Sequence, residues 1–573
     1  DAYVGLAREV EALLQLGDLA RTTTCYGSRD TFPAEDEAAL GSVQKAVVGE
    51  MLPAAAATLL SRRQSIWRRQ EDRAPLWYLA ERGVEVIHAL DLSMRGCPER
   101  GAGPGEYVRW YAAEADGFWH VDRAQRRFEQ VVADAPDRSP LEGLVAHTRA
   151  RYAAGALEVQ TAFFDSVIRT GWPPPAGLRQ TDVFVREVGP RLARGERVAY
   201  FLVDAMRYEM GADLARALAG LGAVHVEAAA TVIPTTTPFG MAALMPGAEG
   251  GVRAIRVGQD LVPAVGDVRM PGVEQRKAWI VTRFGDRSVD LRLDDILGMP
   301  DSELKAAIGR AELVMIRSDD IDKYGEATNG SAARRFIATT LGDIVNVSRR
   351  LVALSVRGIV VSADHGHVML PNIPPGDVVA APEGEWPLEK RRSRIGRALG
   401  KSPGVVIVPA THVGLEGDAA DVALATGFRV FSRGSPYFHE GLSLQECLVP
   451  VVTLEGRAER ATPGLRSVGV TYKQGWVTVR VFSVRATLQS LTGAARVRLV
   501  AVAGGRIVGR AADCDAMNAA TGELVLASGV ETPVPVRLHD DFAGTTFEIE
   551  VRDGTVDGVV LGSLKLESRI LGW

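Results

Sequence analysis

Apolar residues recur at helical spacing from the start of the chain to about residue 170, as at Val121, Ala124, Phe128 and Val131 with charged residues between them. That period predicts helices burying one face. The run Trp172-Pro173-Pro174-Pro175-Ala176-Gly177 ends the pattern, because proline lacks the amide hydrogen that a helix interior or a central strand requires. A helical domain over 1–175 is therefore expected. Beyond it the pattern becomes short uninterrupted apolar runs, Val198 to Val203, Leu313 to Ile316 and Gly358 to Ser362, separated by helical stretches. Such alternation predicts a covered, mostly parallel sheet, assigned to 190–458 with an insertion at about 375–430. A polar break from Arg457 to Pro463 precedes a change to period two: Val477, Val479 and Val481 alternate with Thr478 and Arg480, and Phe547, Ile549 and Val551 alternate with glutamates. Half-buried antiparallel strands follow from that alternation, with Gly504-Gly505 as a hairpin turn, so 464–573 is expected to be a β-sandwich. The fold class is multidomain α/β.

Length and composition bound the picture. A chain of 573 residues exceeds what one core usually organises. Its 46% hydrophobic and 24% charged residues are those of an ordinary soluble protein, and no apolar run reaches the length of a membrane span. Net charge is −5, so nothing global favours binding to nucleic acid or acidic lipid, and such binding must be local. Four cysteines, Cys25, Cys97, Cys447 and Cys514, lie far apart without Cys-x-x-Cys spacing. With no signal-peptide pattern at the start, a cytoplasmic location is expected. The first residue is Asp1 rather than methionine, which predicts further sequence ahead of it.

Candidate chemistry sits where strands should meet loops. Asp204 ends the first run and precedes a helical stretch; it suits a cation ligand or a helix N-cap. Thr237 closes the threonine-rich Thr231 to Thr237 segment at the start of a small-residue helix, a place for either a cap or an activated hydroxyl. Asp322 and Glu326 lie in an acidic stretch directly after the Leu313 to Ile316 run. Asp364 and His365, followed by Gly366, offer adjacent oxygen and nitrogen ligands with room for close backbone approach. His367 reads better as packing. His439 stands between aromatic residues and a glycine turn just before the apolar run from Leu448. Each signal alone has a bland explanation, but five in succession at strand ends make coincidence the weaker account.

The wording of these motifs resembles the PglZ family of the alkaline phosphatase superfamily. The likeness lies in Asp-Ala-Met-Arg-Tyr-Glu from Asp204, Pro-Thr-x-Thr from Pro234, Ile-Asp-x-x-Gly-acid from Ile321, Ala-Asp-His-Gly from Ala363 and Phe-His-x-Gly-Leu-Ser-Leu-Gln-Glu from Phe438, and spans about 195–455. The resemblance implies an alkaline-phosphatase-like core. It also implies one metal on Asp204, Asp364, His365 and the nucleophile Thr237, and a second on Asp322, Glu326 and His439. Arg207 is a candidate oxyanion or structural partner. The superfamily's phosphodiesterases place histidine where this chain has Glu326, making the second site richer in oxygen. Zinc is the first expectation, and manganese or magnesium also suit carboxylates. The implied activity is a metal-dependent phosphodiesterase or nuclease of a BREX or phage growth limitation defence system, beside a DNA methyltransferase and other components. A noncatalytic assembly scaffold and a phosphomonoesterase are the alternatives. The densest basic run, Lys390, Arg391, Arg392, Arg394, Arg397 and Lys401, is a candidate DNA backbone track or a solvated loop.

Overall fold

In the computed structural model, residues 2–16, 29–70, 72–135, 137–327, 330–370, 377–456, 467–489, 494–504, 506–518, 521–539, 542, 544–554 and 559–570 are described. The break expected at Arg457 to Pro463 lies outside them, as does Gly505. Seven strands form the central sheet: β1 (Leu178–Arg179), β2 (Val198–Val203), β3 (Gly222–Ala230), β4 (Ser288–Arg292), β5 (Leu313–Ser318), β6 (Gly358–Ala363) and β7 (Leu448–Gly456). Their order is β1-β3-β7-β6-β2-β5-β4. β7 alone runs against its neighbours, so the sheet is mostly parallel. Every residue of β2 and β6 is buried, as continuous apolar runs require when helices cover both faces.

The register fixes what happens at one edge. Val203 of β2 pairs with Ser318 of β5 and with Ala363 of β6, so three strands end level. The next residues of β2 and β6 are Asp204 and Asp364. β5 passes into helix Asp320–Ala327, whose Asp322 and Glu326 lie four apart and share a face.

Helices occupy most of the described chain up to Thr170, and their apolar residues join those of the sheet in one continuous core. The seam also carries charge. Helix Trp119–Asp134 meets helix Tyr208–Leu218 through Arg126, which bonds Glu209 at 2.8 Å and Asp213 at 2.9 Å, while Arg207 bonds Glu209 from the other side at 2.6 Å. Buried Asp122 accepts from Tyr111, Tyr152 and, across the seam, Gln445. The 375–430 insertion contains a four-stranded antiparallel sheet built from Gly384–Glu389, Ser393–Ala398, Val405–Pro409 and Asp421–Ala425.

Toward the carboxyl end ten short strands form one connected sheet around a separate core. It curls until its edges nearly touch: a side chain at Gly562 would strike the Val468 carbonyl. The ten strands are hydrogen-bonded into one continuous sheet folded around its core. Phe547, Ile549 and Val551 point inward as their alternation predicts, and Val477 is buried, but Val479 and Val481 face solvent. The strand Val481–Gln489 buries Phe482, Val484, Ala486 and Leu488 instead, because the larger Phe482 and Leu488 set the inward phase and a one-residue shift exchanges the faces.

Burial alone would raise the Glu209 carboxyl, but the Arg126 and Arg207 guanidiniums outweigh it and hold the group down at about 2. A depressed acid stabilises the fold above its ordinary value, and that contribution disappears as pH falls toward 2. Glu209→Ala, which strands two buried arginines, is expected to cost about 3–5 kcal/mol in urea or thermal unfolding near neutral pH, with the deficit shrinking in acid. A loss below about 1 kcal/mol would show the network to be ornamental.

Candidate metal centre

Two trios of ligating atoms converge at the level strand ends. In each trio, one atom from every side chain lies within 4.8 Å of the others: Asp204, Asp364 and His365 form the buried trio, and Asp322, Glu326 and His439 the more open one. The trios adjoin, since the His365 and His439 rings stack with centroids 4.1 Å apart and 11° between their planes. The Asp204 amide donates to the Ser318 carbonyl at 2.8 Å. Asp364 Oδ1 accepts from the amides of Ala205 and His365 at 3.0 and 2.9 Å. To make that turn, Ala205 adopts φ of 60°, a left-handed conformation that costs energy for a residue with a Cβ.

Both histidines are oriented by carbonyls. His365 Nδ1 lies 3.0 Å from the Gly366 oxygen and His439 Nδ1 3.0 Å from the Thr235 oxygen. A carbonyl only accepts, so Nδ1 carries the proton in each ring and Nε2 presents a lone pair. Those Nε2 atoms turn toward carboxylates: His365 Nε2 is 3.6 Å from Asp204 and 3.5 Å from Asp364, and His439 Nε2 is 3.6 Å from Asp322. Thr237 Oγ1, at the start of helix Thr237–Ala243, lies 3.3 Å from His365 Nε2. The helix comes this close because residue 240 is glycine; a Cβ there would sit 2.1 Å from the Asp364 carbonyl oxygen.

The electrostatics are unbalanced. Asp204 Oδ1 and Asp364 Oδ2 are buried without a hydrogen-bond partner among the described residues. Burial, and then the neighbouring carboxylates, push both groups well up from the ordinary Asp range. Glu326 is raised by burial and by Asp322. Burial lowers both His365 and His439, which keeps their rings neutral. Crowded acids with orphaned oxygens and neutral imidazoles with inward lone pairs fit divalent cations, which would satisfy all of them at once. Asp204, Asp364 and His365 would hold one ion, with Thr237 beside it; Asp322, Glu326 and His439 would hold the other. A cleft of about 500 Å³ lined by Asp204, Asp319, Asp322, Lys323 and Glu326 leads outward from the second trio.

The remaining candidates fall elsewhere. Arg207 is buried and bound to Glu209, with its guanidinium in the seam network. Among the described residues His367 Nε2 has no hydrogen-bond partner; its Nδ1 bonds the Ala205 oxygen at 2.8 Å and its ring leans on Tyr437. In the basic run, Arg392 is fully buried against Glu446 and the Gly427 oxygen. Arg391 bonds the Tyr437 and Ser435 oxygens, Arg394 bonds the Lys390 oxygen and covers Phe431, and Lys390 pairs with Glu440 at 3.4 Å. Arg397 and Lys401 are exposed. Lys390, Arg391 and Arg392 therefore secure the insertion to the His439 loop.

Three supports were not anticipated. Tyr437 donates to Asp322 Oδ1 at 2.8 Å. Buried Gln180 donates to the Ala363 and Asp364 carbonyls at 2.8 and 2.6 Å and accepts from the Val232 amide. Thr235 holds the Gly441 carbonyl through its hydroxyl at 3.0 Å. Tyr437 adjoins a motif residue and was within reach of sequence reasoning, whereas Gln180 carries no local signal.

Residues 183–454 match the family described as the BREX system PglZ alkaline phosphatase-like domain. The chain is 27% identical over 307 residues to the alkaline phosphatase-like protein PglZ of Bacillus cereus (strain H3081.97), covering 52% of this chain and 35% of that protein. It is 25% identical over 434 residues to the alkaline phosphatase-like protein BrxZ of Escherichia coli O9:H4 (strain HS), covering 70% of this chain and 48% of that protein. The matches thus span between a third and half of those relatives. No helix among the described residues is long and apolar enough to cross a membrane.

Because both aspartates hold protons more tightly than usual, ion binding must displace them. Affinity for zinc or manganese is expected to rise between about pH 6 and pH 8, with proton release read by calorimetry in buffers of different ionisation enthalpy. A pH-independent affinity would contradict the assignment of the two acids.

Proposed function

We propose, from the premise that this chain carries a PglZ domain over residues 183–454, that it hydrolyses phosphate esters with Thr237 as nucleophile. The observation that carries the reading is the pair of orphaned carboxylate oxygens beside the oriented His365 imidazole, with a hydroxyl 3.3 Å from its Nε2. Divalent ions held by the two trios would supply charge for the phosphoryl oxygens and lower the pKa of the attacking hydroxyl. The protein's own part is placement. The close-packed helix Thr237–Ala243 fixes Oγ1 at the mouth of the buried trio; the hydroxyl gives its proton to water, its oxygen bonds to phosphorus as the bond from phosphorus to the leaving oxygen breaks in line, and the leaving oxygen takes a proton from water. Water then cleaves the phosphothreonine and restores the hydroxyl. His365 Nε2 is committed as a ligand in this scheme and is not the base.

Zinc fits the buried trio, and the oxygen-rich Asp322, Glu326 and His439 trio also suits manganese or magnesium. A phosphodiester, including DNA or a nucleotide diester, is the favoured substrate, with a phosphomonoester as the alternative. The internal commitment of Arg391, Arg392 and Arg394 removes most of the basic run as a backbone track, leaving Arg397 and Lys401 as its exposed part. By kinship with PglZ and BrxZ, the setting is a cytoplasmic BREX-type defence system with a DNA methyltransferase and other components as partners. A second reading, a metal-binding scaffold without turnover, is favoured by the exposed position of Glu326, which weakens the second site.

Incubation with a nitrophenyl diester, a nitrophenyl monoester and plasmid DNA, each with zinc or manganese, separates these readings. Turnover is expected, falling on the order of 10³-fold or more in Thr237→Ala and surviving in Thr237→Ser. Absence of turnover with every ion and substrate would leave the scaffold.

A further inference from the structure

A second cavity, of about 110 Å³, opens beside Thr237 and Asp204 and shares Asp204 and Asp319 with the wide cleft. Leu202, Met241, Met245, Ile280 and Met315 form its apolar wall, and Arg276, Arg292 and Arg317 bring charge to it. The three arginines are not equivalent. Arg317 is clamped by Asp290, with contacts of 2.6–3.1 Å. Arg292 is spent on Asp319 at 2.8 Å. Arg276, on helix Val273–Phe284, is only 9% exposed, yet among the described residues its guanidinium makes one hydrogen bond, a 3.4 Å contact to the Met270 oxygen, and pairs with no carboxylate. Burial pulls its pKa down while the nearby Asp364 and Asp204 charges act the other way. With no carboxylate among the described residues to offset its charge, this largely buried guanidinium beside the candidate nucleophile favours an anion.

We infer that this cavity seats the organic group of the phosphate ester, a single aromatic ring, while Arg276 grips the phosphoryl oxygens. The inference deepens the hydrolase reading and rests on it. The cavity's volume suits one ring, since an apolar cavity of about 150 Å³ takes up benzene. Methionine walls are adaptable and favour flat π faces, whereas sugar hydroxyls pressed against Met241, Met245 and Met315 would lose hydrogen bonds to water without replacement. The guanidinium fork matches two phosphoryl oxygens. Thr237 and Asp204 on the same wall place the phosphorus between the ring seat and the candidate ions.

Two non-hydrolysable probes of equal charge, phenylphosphonate and methylphosphonate, test this by calorimetry on the zinc-loaded chain. Phenylphosphonate is expected to bind about tenfold or more tighter than methylphosphonate, from burial of the ring. Arg276→Gln is expected to weaken both by about tenfold, and Arg276→Lys to recover part of the loss. If an Arg276 variant fails to fold, the ratio of the two probes on the unaltered protein still decides. Equal affinities would overturn the ring seat while leaving the hydrolase reading standing. Failure of both probes to bind the zinc-loaded chain would remove both readings.

Discussion

Asp204 and Asp364 are forced together by strand register, and much of the architecture follows from that crowding. Two buried carboxylates with orphaned oxygens are unfavourable in a medium that solvates charge poorly, so the fold has to hold them in place against their own repulsion. It does so with covered strands whose ends lie level, with Gln180 pinning the Asp364 backbone, and with a glycine at 240 that lets the Thr237 helix close over the pair. That unfavourable local energy would favour cation binding at the site, because ion affinity draws on the same electrostatic imbalance.

The surrounding parts serve that arrangement at graded distance. Carbonyls of Gly366 and Thr235 fix the tautomers of the two histidines. Tyr437 holds Asp322, and the arginine-rich strand of the insertion ties the His439 loop through Glu440 and Glu446. Farther out, the helical layer locks the segment following Asp204 through Arg126, Arg207 and Glu209. The helical region thus shares a core and a buried ion network with the sheet rather than hanging beside it.

Much of this was legible in the amino-acid sequence because parallel strands covered on both faces announce themselves as apolar runs, and their last residues become the sheet edge. Asp204, Asp364 and His365 follow directly from that rule. Asp322 and Glu326 were legible as an acidic stretch after a strand, whereas the helix that puts them on one face was not. Less legible were features set by tertiary packing. The inward phase of the strand from Val481 is decided by Phe482 and Leu488, not by the valines ahead of it. The basic run from Lys390 to Lys401 looks like a nucleic-acid track in one dimension, yet its arginines find carbonyls and Glu446 in three. Arg276 gave no signal at all, since what sets it apart, the absence of a carboxylate like those on Arg292 and Arg317 among the described residues, is a matter of tertiary packing.

The central claim is that the two trios are cation sites sharing one catalytic pocket. Anomalous diffraction from crystals of the zinc- or manganese-loaded protein tests it most directly. The account predicts two peaks roughly 3.5–4 Å apart, one bounded by Asp204, Asp364 and His365 and the other by Asp322, Glu326 and His439. Peaks confined to other parts of the molecule, or none at saturating ion, would contradict it.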